Sequence, residues 1–98
     1  MIKSFRHKGI QVFFETGARS GIQPSHAARL QVLLTTLNVA RSHQDMNVPA
    51  WHLHKLSGRN PKGQPVNDHW SVSVSGNWRL TFMFDDQHAI LVDYMDYH

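Results

Sequence analysis

Trp70-Ser71-Val72-Ser73-Val74-Ser75-Gly76-Asn77-Trp78-Arg79-Leu80-Thr81-Phe82-Met83-Phe84-Asp85 is the stretch on which the fold turns. Trp70, Val72 and Val74 alternate with Ser71 and Ser73, and a period of two is that of a strand with one face on a core and one wet face. Ser75-Gly76-Asn77 reads as a hairpin turn. The chain then returns as a second strand, with Trp78, Leu80, Phe82 and Phe84 on one side and Arg79, Thr81 and Met83 on the other. Asp85-Asp86-Gln87-His88 gives a second turn, and Ala89 to Tyr94 a last strand.

Upstream of this meander, Gly58, Asn60, Pro61, Gly63, Pro65 and Asn67 mark a surface loop between Ser57 and Asp68, longer than a tight hairpin needs. Trp51 to Leu56 is a further strand candidate, and Ile2 to Phe5 alternates as a short first strand. Between them the period lengthens. Ile10, Phe13 and Phe14 predict a short helix over 7–16 that Gly17 stops. Pro24 suits the first turn of a second helix. Its stripe is Ala27, Leu30, Leu33, Leu34 and Leu37, reaching about Ala40, and its other face carries His26, Arg29, Gln31 and Thr35. The fold class is therefore α+β, with two N-terminal helices packed on one face of a twisted, mostly antiparallel sheet. Trp78 and Phe82 are expected on the covered face, against Phe13, Leu30 and Leu34.

A chain of 98 residues makes one domain, 1–98, and 41% hydrophobic against 17% charged residues excludes disorder. The sequence has no cysteine, so disulfides, thiolate metal sites and a cysteine nucleophile are excluded, which suits a cytoplasmic protein. No stretch nears the roughly 20 apolar residues of a membrane span, and the opening residues lack the apolar run of a signal peptide. Charge is unevenly placed. Residues 1–62 hold nine Lys and Arg against Glu15 and Asp45, a balance of +7, while residues 63–98 hold Arg79 against five Asp, a balance of −4. The basic part points to a polyanion such as RNA; a solvated basic helix face is the plainer alternative.

Eight histidines are present. On a strand, His52 and His54 would share a face and form a possible metal pair, with His69 or His98 as third ligand. His54 also suits proton transfer near neutral pH. RNA carries its own nucleophile, the 2′-hydroxyl, so cleavage needs a base, an acid and cations for the phosphorane, but no metal or other cofactor. Arg79 fits that cationic role through its planar fork, and fits equally an ion pair with Asp93 or Asp96. The closing run Asp93-Tyr94-Met95-Asp96-Tyr97-His98 offers a second histidine beside acids and a stacking or proton-donating Tyr97, or else a frayed tail.

Several segments, in order and spanning nearly the whole chain, resemble the HigB toxins (proteic killer proteins) of the RelE superfamily. They are Met1-Ile2-Lys3-Ser4-Phe5 with His7-Lys8-Gly9, Phe13-Phe14-Glu15-Thr16-Gly17, Gly21-Ile22-Gln23-Pro24 with His26-Ala27, Leu53-His54, Gly76-Asn77-Trp78-Arg79-Leu80-Thr81-Phe82, and Val92 to His98. The resemblance implies a ribosome-dependent endoribonuclease that cuts mRNA during translation. It also implies a cognate, HigA-like helix-turn-helix antitoxin and no membrane partner. It places catalysis on His54, Asp96, Tyr97 and His98, and phosphate binding on Arg79. Where many members continue Pro-Leu-Lys-Gly after Leu-His, this chain has Lys55-Leu56-Ser57-Gly58. The missing lysine leaves Lys55, Arg59 or Lys62 to supply its charge, although Lys55 should point away from His54. The rival reading is a non-catalytic RNA- or antitoxin-binding module, a decayed toxin, supported by Ser57 and the long loop. Between the histidines, the free α-carboxylate and Asp96 would raise the pKa of His98, which favours His98 as acid and His54 as base.

Overall fold

The computed structural model describes residues 1–97. Helix α1, Lys8–Thr16, starts where the His7 side chain accepts a hydrogen bond from the Ile10 N–H at 3.1 Å. It stops at Gly17, whose φ of 81° is the left-handed cap that glycine adopts freely. A 3₁₀ turn at Pro24–His26 leads into α2, Ala27–Val39. Ala27, Leu30, Leu33, Leu34 and Leu37, the stripe read from the sequence, are its buried residues.

The strands β1 (His54–Lys55), β2 (Trp70–Ser75), β3 (Trp78–Asp85) and β4 (His88–Asp96) form one antiparallel sheet in chain order. Trp70 pairs with Phe82, Val72 with Leu80, and Leu80 with Tyr94, so one face presents an apolar row to the helices. Phe82 is fully buried in a cluster with Phe13, Leu30 and Leu34, and Trp78 packs against that cluster half-buried. The α+β architecture and its covered face are thus as read from the period.

Two expected strands come out shorter. At the free edge of β4, Ile2 and Phe5 make only isolated parallel bridges, to Ala89 and Val92. Regular pairing fails between them because β4 is irregular at Leu91, whose φ is 54°, and the Leu91 N–H bonds to the Ser4 hydroxyl instead of a backbone carbonyl. The candidate Trp51–Leu56 shrinks to His54–Lys55. Pro49 begins a 3₁₀ turn that runs to Trp51, and His52 is left-handed, with φ 51° and ψ 50°.

The face expected to be wet is largely covered. Ser71, Thr81 and Asp93 form a register row across β2, β3 and β4, and all three are buried. Leu56, Val66 and Met95 are buried outside the helix-side cluster. Residues 57–69 are a folded flap rather than a loose loop, with Asn60, Val66 and His69 buried. Asn60 organises it: its side-chain oxygen accepts from the N–H groups of Lys62 and Gln64, and its amide donates to the Gln64 side chain.

Candidate active site

Where β1 gives out and the β2–β3 turn begins, Arg29, Ala50, His52, His54, Ser73, Gly76 and Arg79 line an open cleft of about 580 Å³. Among the described residues of that lining there is no carboxylate, and the two arginines are its charged side chains. His54 is exposed at the start of β1, in register with Ser71 and so on the face away from the helices. Its Nδ1 lies 3.0 Å from the His52 carbonyl oxygen. A carbonyl can only accept, so this geometry assigns the proton to Nδ1 and leaves the Nε2 lone pair available when the ring is neutral.

Arg79, on β3, projects to the same face, since it pairs with Ser73 and Met95. Its Nη1 donates to the Gly76 carbonyl at 2.6 Å and to the Trp78 carbonyl at 3.1 Å. Among the described residues it pairs with neither Asp93 nor Asp96. Asp93 is buried, and one carboxylate oxygen accepts the Tyr94 N–H. The turn's own carbonyls therefore aim the guanidinium.

The other site residues named from the sequence divide. Tyr97 donates its backbone N–H to the Asn77 carbonyl at 2.7 Å, which ties the chain end to the turn between Gly76 and Arg79. Asp96 pairs with Trp78 and so lies on the opposite face from Arg79. Neither Asp96 nor Tyr97 lines the cleft. His98 lies outside the described residues. Lys55 points away from His54, as strand alternation requires, and forms an exposed ion pair with Asp68 at 3.4 Å. Arg59 donates to the Gly63 carbonyl within the flap, and Lys62 sits exposed at its tip, so neither reaches the cleft lining.

His52 and His54 do not share a strand face, because the left-handed residue breaks the alternation on which that reading depended. Among the described residues no three His, Asp or Glu side chains gather as a metal site. Arg29 is the cleft residue that sequence reasoning missed. It was placed on the outer face of α2, and the hint was its position beside Leu30 at the flank of the buried stripe.

Behind the cleft, at the same end of the sheet, the Tyr94 hydroxyl accepts from the Gln23 N–H at 3.3 Å and sits 2.6 Å from His26 Nδ1. Burial pushes the Tyr94 phenol pKa up, against the opposing Gln23 bond. The neighbouring His7 ring meets Tyr94 edge-on at 5.3 Å. Burial lowers the pKa of His7; the charge of Asp93 opposes this and that of Lys62 adds to it, while a backbone hydrogen bond also opposes. This network packs the helix side of the sheet end and leaves the cleft to His54 and Arg79.

Residues 3–98 match the family described as the RelE-like toxin of the type II toxin-antitoxin system HigB. The chain is also 36% identical to the Endoribonuclease HigB of Proteus vulgaris over 98 residues, the full length of both proteins. With the two-helix, four-strand fold already in place, these matches mean that the chain belongs to the RelE-like HigB toxins of type II toxin-antitoxin systems.

Proposed function

We propose that this toxin is a ribosome-dependent endoribonuclease that cuts mRNA by metal-independent acid–base catalysis. The observation that carries the proposal is that His54 and Arg79 line one cleft, with no carboxylate among the described residues of its lining. A phosphodiester brought there meets an imidazole with an available Nε2 and two guanidinium groups. His54 Nε2 takes the proton of the 2′-hydroxyl, the 2′-oxygen forms its bond to phosphorus, and the P–O5′ bond breaks. The 5′-oxygen receives a proton from the acid, for which His98 is the candidate. A 2′,3′-cyclic phosphate and a 5′-hydroxyl result. Arg79 carries the charge that builds on the phosphoryl oxygens. Tyr97, beside the turn, has the role of positioning the nucleotide by stacking on a base, and Asp96 that of orienting or charge-stabilising an imidazole.

A domain of this size offers little surface to hold a messenger unaided, which is why the ribosome is assigned the task of presenting the strand. Membership of a toxin–antitoxin family implies an antitoxin partner, and a helix-turn-helix, HigA-like antitoxin is the proposed one. Purified protein added to a translating extract is expected to cut messengers internally, with or without a chelator selective for transition metals that spares the Mg²⁺ of the ribosome, and His54→Ala protein is not. Absence of cuts with both proteins would favour the non-catalytic binding module.

A further inference from the structure

We propose that Arg29 is a positioning residue for His54: its guanidinium occupies the place where β1 fails to continue, and fixes the kinked segment that carries the histidine. The inference rests on the reading of the cleft as the RNA-cleaving site, but its geometry does not.

The register makes the point. His54 pairs with Ser71 and Lys55 with Trp70, so the paired numbers sum to 125, and the same ladder carried on would join Leu53 to Val72 and then His52 to Ser73. The chain leaves the ladder beyond His54, and His52, two residues on, is left-handed. At that position Arg29 reaches over from α2. Its Nε and Nη2 both lie 3.4 Å from the Ser73 carbonyl oxygen, and Nη2 lies 3.2 Å from that of Ala50. Each contact is at the long end of the hydrogen-bond range and weak alone. Their value is that one planar fork meets carbonyls of two separate segments, which a lysine ammonium on its flexible stem does poorly.

The arrangement runs on to the imidazole. Ala50 lies in the 3₁₀ turn directly before His52, and β1 beyond it has only two residues. Without Arg29, the kink is held by that short ladder, by the buried Trp51 ring and by the Trp51 N–H bond to Val48. The His52 carbonyl that takes His54 Nδ1 lies inside this span. Fixing Ala50 against Ser73 therefore fixes the carbonyl that orients His54, and Ser73 is the register partner of Arg79. The anchor itself is firm, since Leu30 and Leu33 beside Arg29 are fully buried. A purely electrostatic role for Arg29 would be met by lysine; a bridging role would not.

The test uses the intact free toxin as wild type, Arg29→Lys and Arg29→Gln, with backbone hydrogen exchange and ¹⁵N chemical shifts of the His54 ring. Both variants are expected to raise exchange across residues 50–54 about tenfold or more, while α2 and β2 to β4 stay protected, as a local opening does. The His54 ring should move from a single Nδ1–H tautomer towards a mixture. Wild-type exchange and tautomer in both variants would overturn the proposal. So would restoration by lysine, or a uniform rise across the whole sheet, which would mark a general stability effect. None of these readouts involves RNA, so failure of the nuclease reading is seen separately, as wild-type protein that cuts no messenger.

Discussion

The His54 ring is oriented by the backbone of His52, with Nδ1 3.0 Å from a carbonyl that a left-handed residue turns towards it. For the neutral ring this predicts the tautomer protonated on Nδ1, checked by ¹⁵N shifts near pH 8. Because His54 is exposed, His54→Ala should melt close to wild type while losing about 10²–10⁴-fold in cleavage, the usual worth of one acid–base group. Cleavage within a few-fold of wild type would remove His54 from the mechanism.

Arg79 is aimed by the Gly76 and Trp78 carbonyls rather than by an acid. Arg79→Lys keeps the charge but loses the planar fork. It should lower the rate of cleavage on translating ribosomes by about 10²–10³-fold, the scale of removing one transition-state donor. Equal rates for the two proteins would show that charge alone is what the site requires there.

Phe82 is fully buried between the sheet and the helices. Phe82→Ala should cost about 3–5 kcal/mol, a large share of the roughly 5–15 kcal/mol that holds a domain. Denaturant unfolding measures this directly, and toxicity lost with the fold would say nothing about chemistry.

His7 carries a pH prediction. Its pKa is lowered in the fold, chiefly by burial. The unfolded chain then binds the proton more readily, so the contribution of His7 to stability is present above an unfolded pKa of about 6.5. It is lost as pH falls through the lower folded value. Asparagine at this position can still cap α1 through its side-chain oxygen. His7→Asn should therefore flatten the fall in melting temperature between pH 7.5 and pH 5.5. An unchanged slope would place the acid sensitivity elsewhere.

The flap residues Arg59 and Lys62 are exposed and outside the cleft lining. If they face ribosomal RNA, toxin–ribosome association should weaken steeply with added salt, and charge reversal at both should flatten that dependence. Sedimentation with ribosomes at low and moderate salt measures it; an unaltered slope in the double variant makes the flap a bystander.

The sequence by itself determined the meander, the two helices and the face they cover. Each depends on a local period: alternation from Trp70 to Phe84, and three- and four-residue spacing from Ala27 to Leu37. His54 and Arg79 were legible as chemistry, through residue type and the resemblance that surrounds them. That they meet was decided by the tertiary structure, because it follows from pairing Ser71 with His54 and Ser73 with Arg79 across a sheet. The left-handed turn at His52 was hidden for the same reason, since no local signal distinguishes it from a strand residue. Burial of Ser71 and Asp93 was equally invisible, because strand alternation does not announce what other segments will cover the second face of the sheet. Periods in a sequence report which side of an element is apolar; what lies against the other side is set by segments distant in the chain.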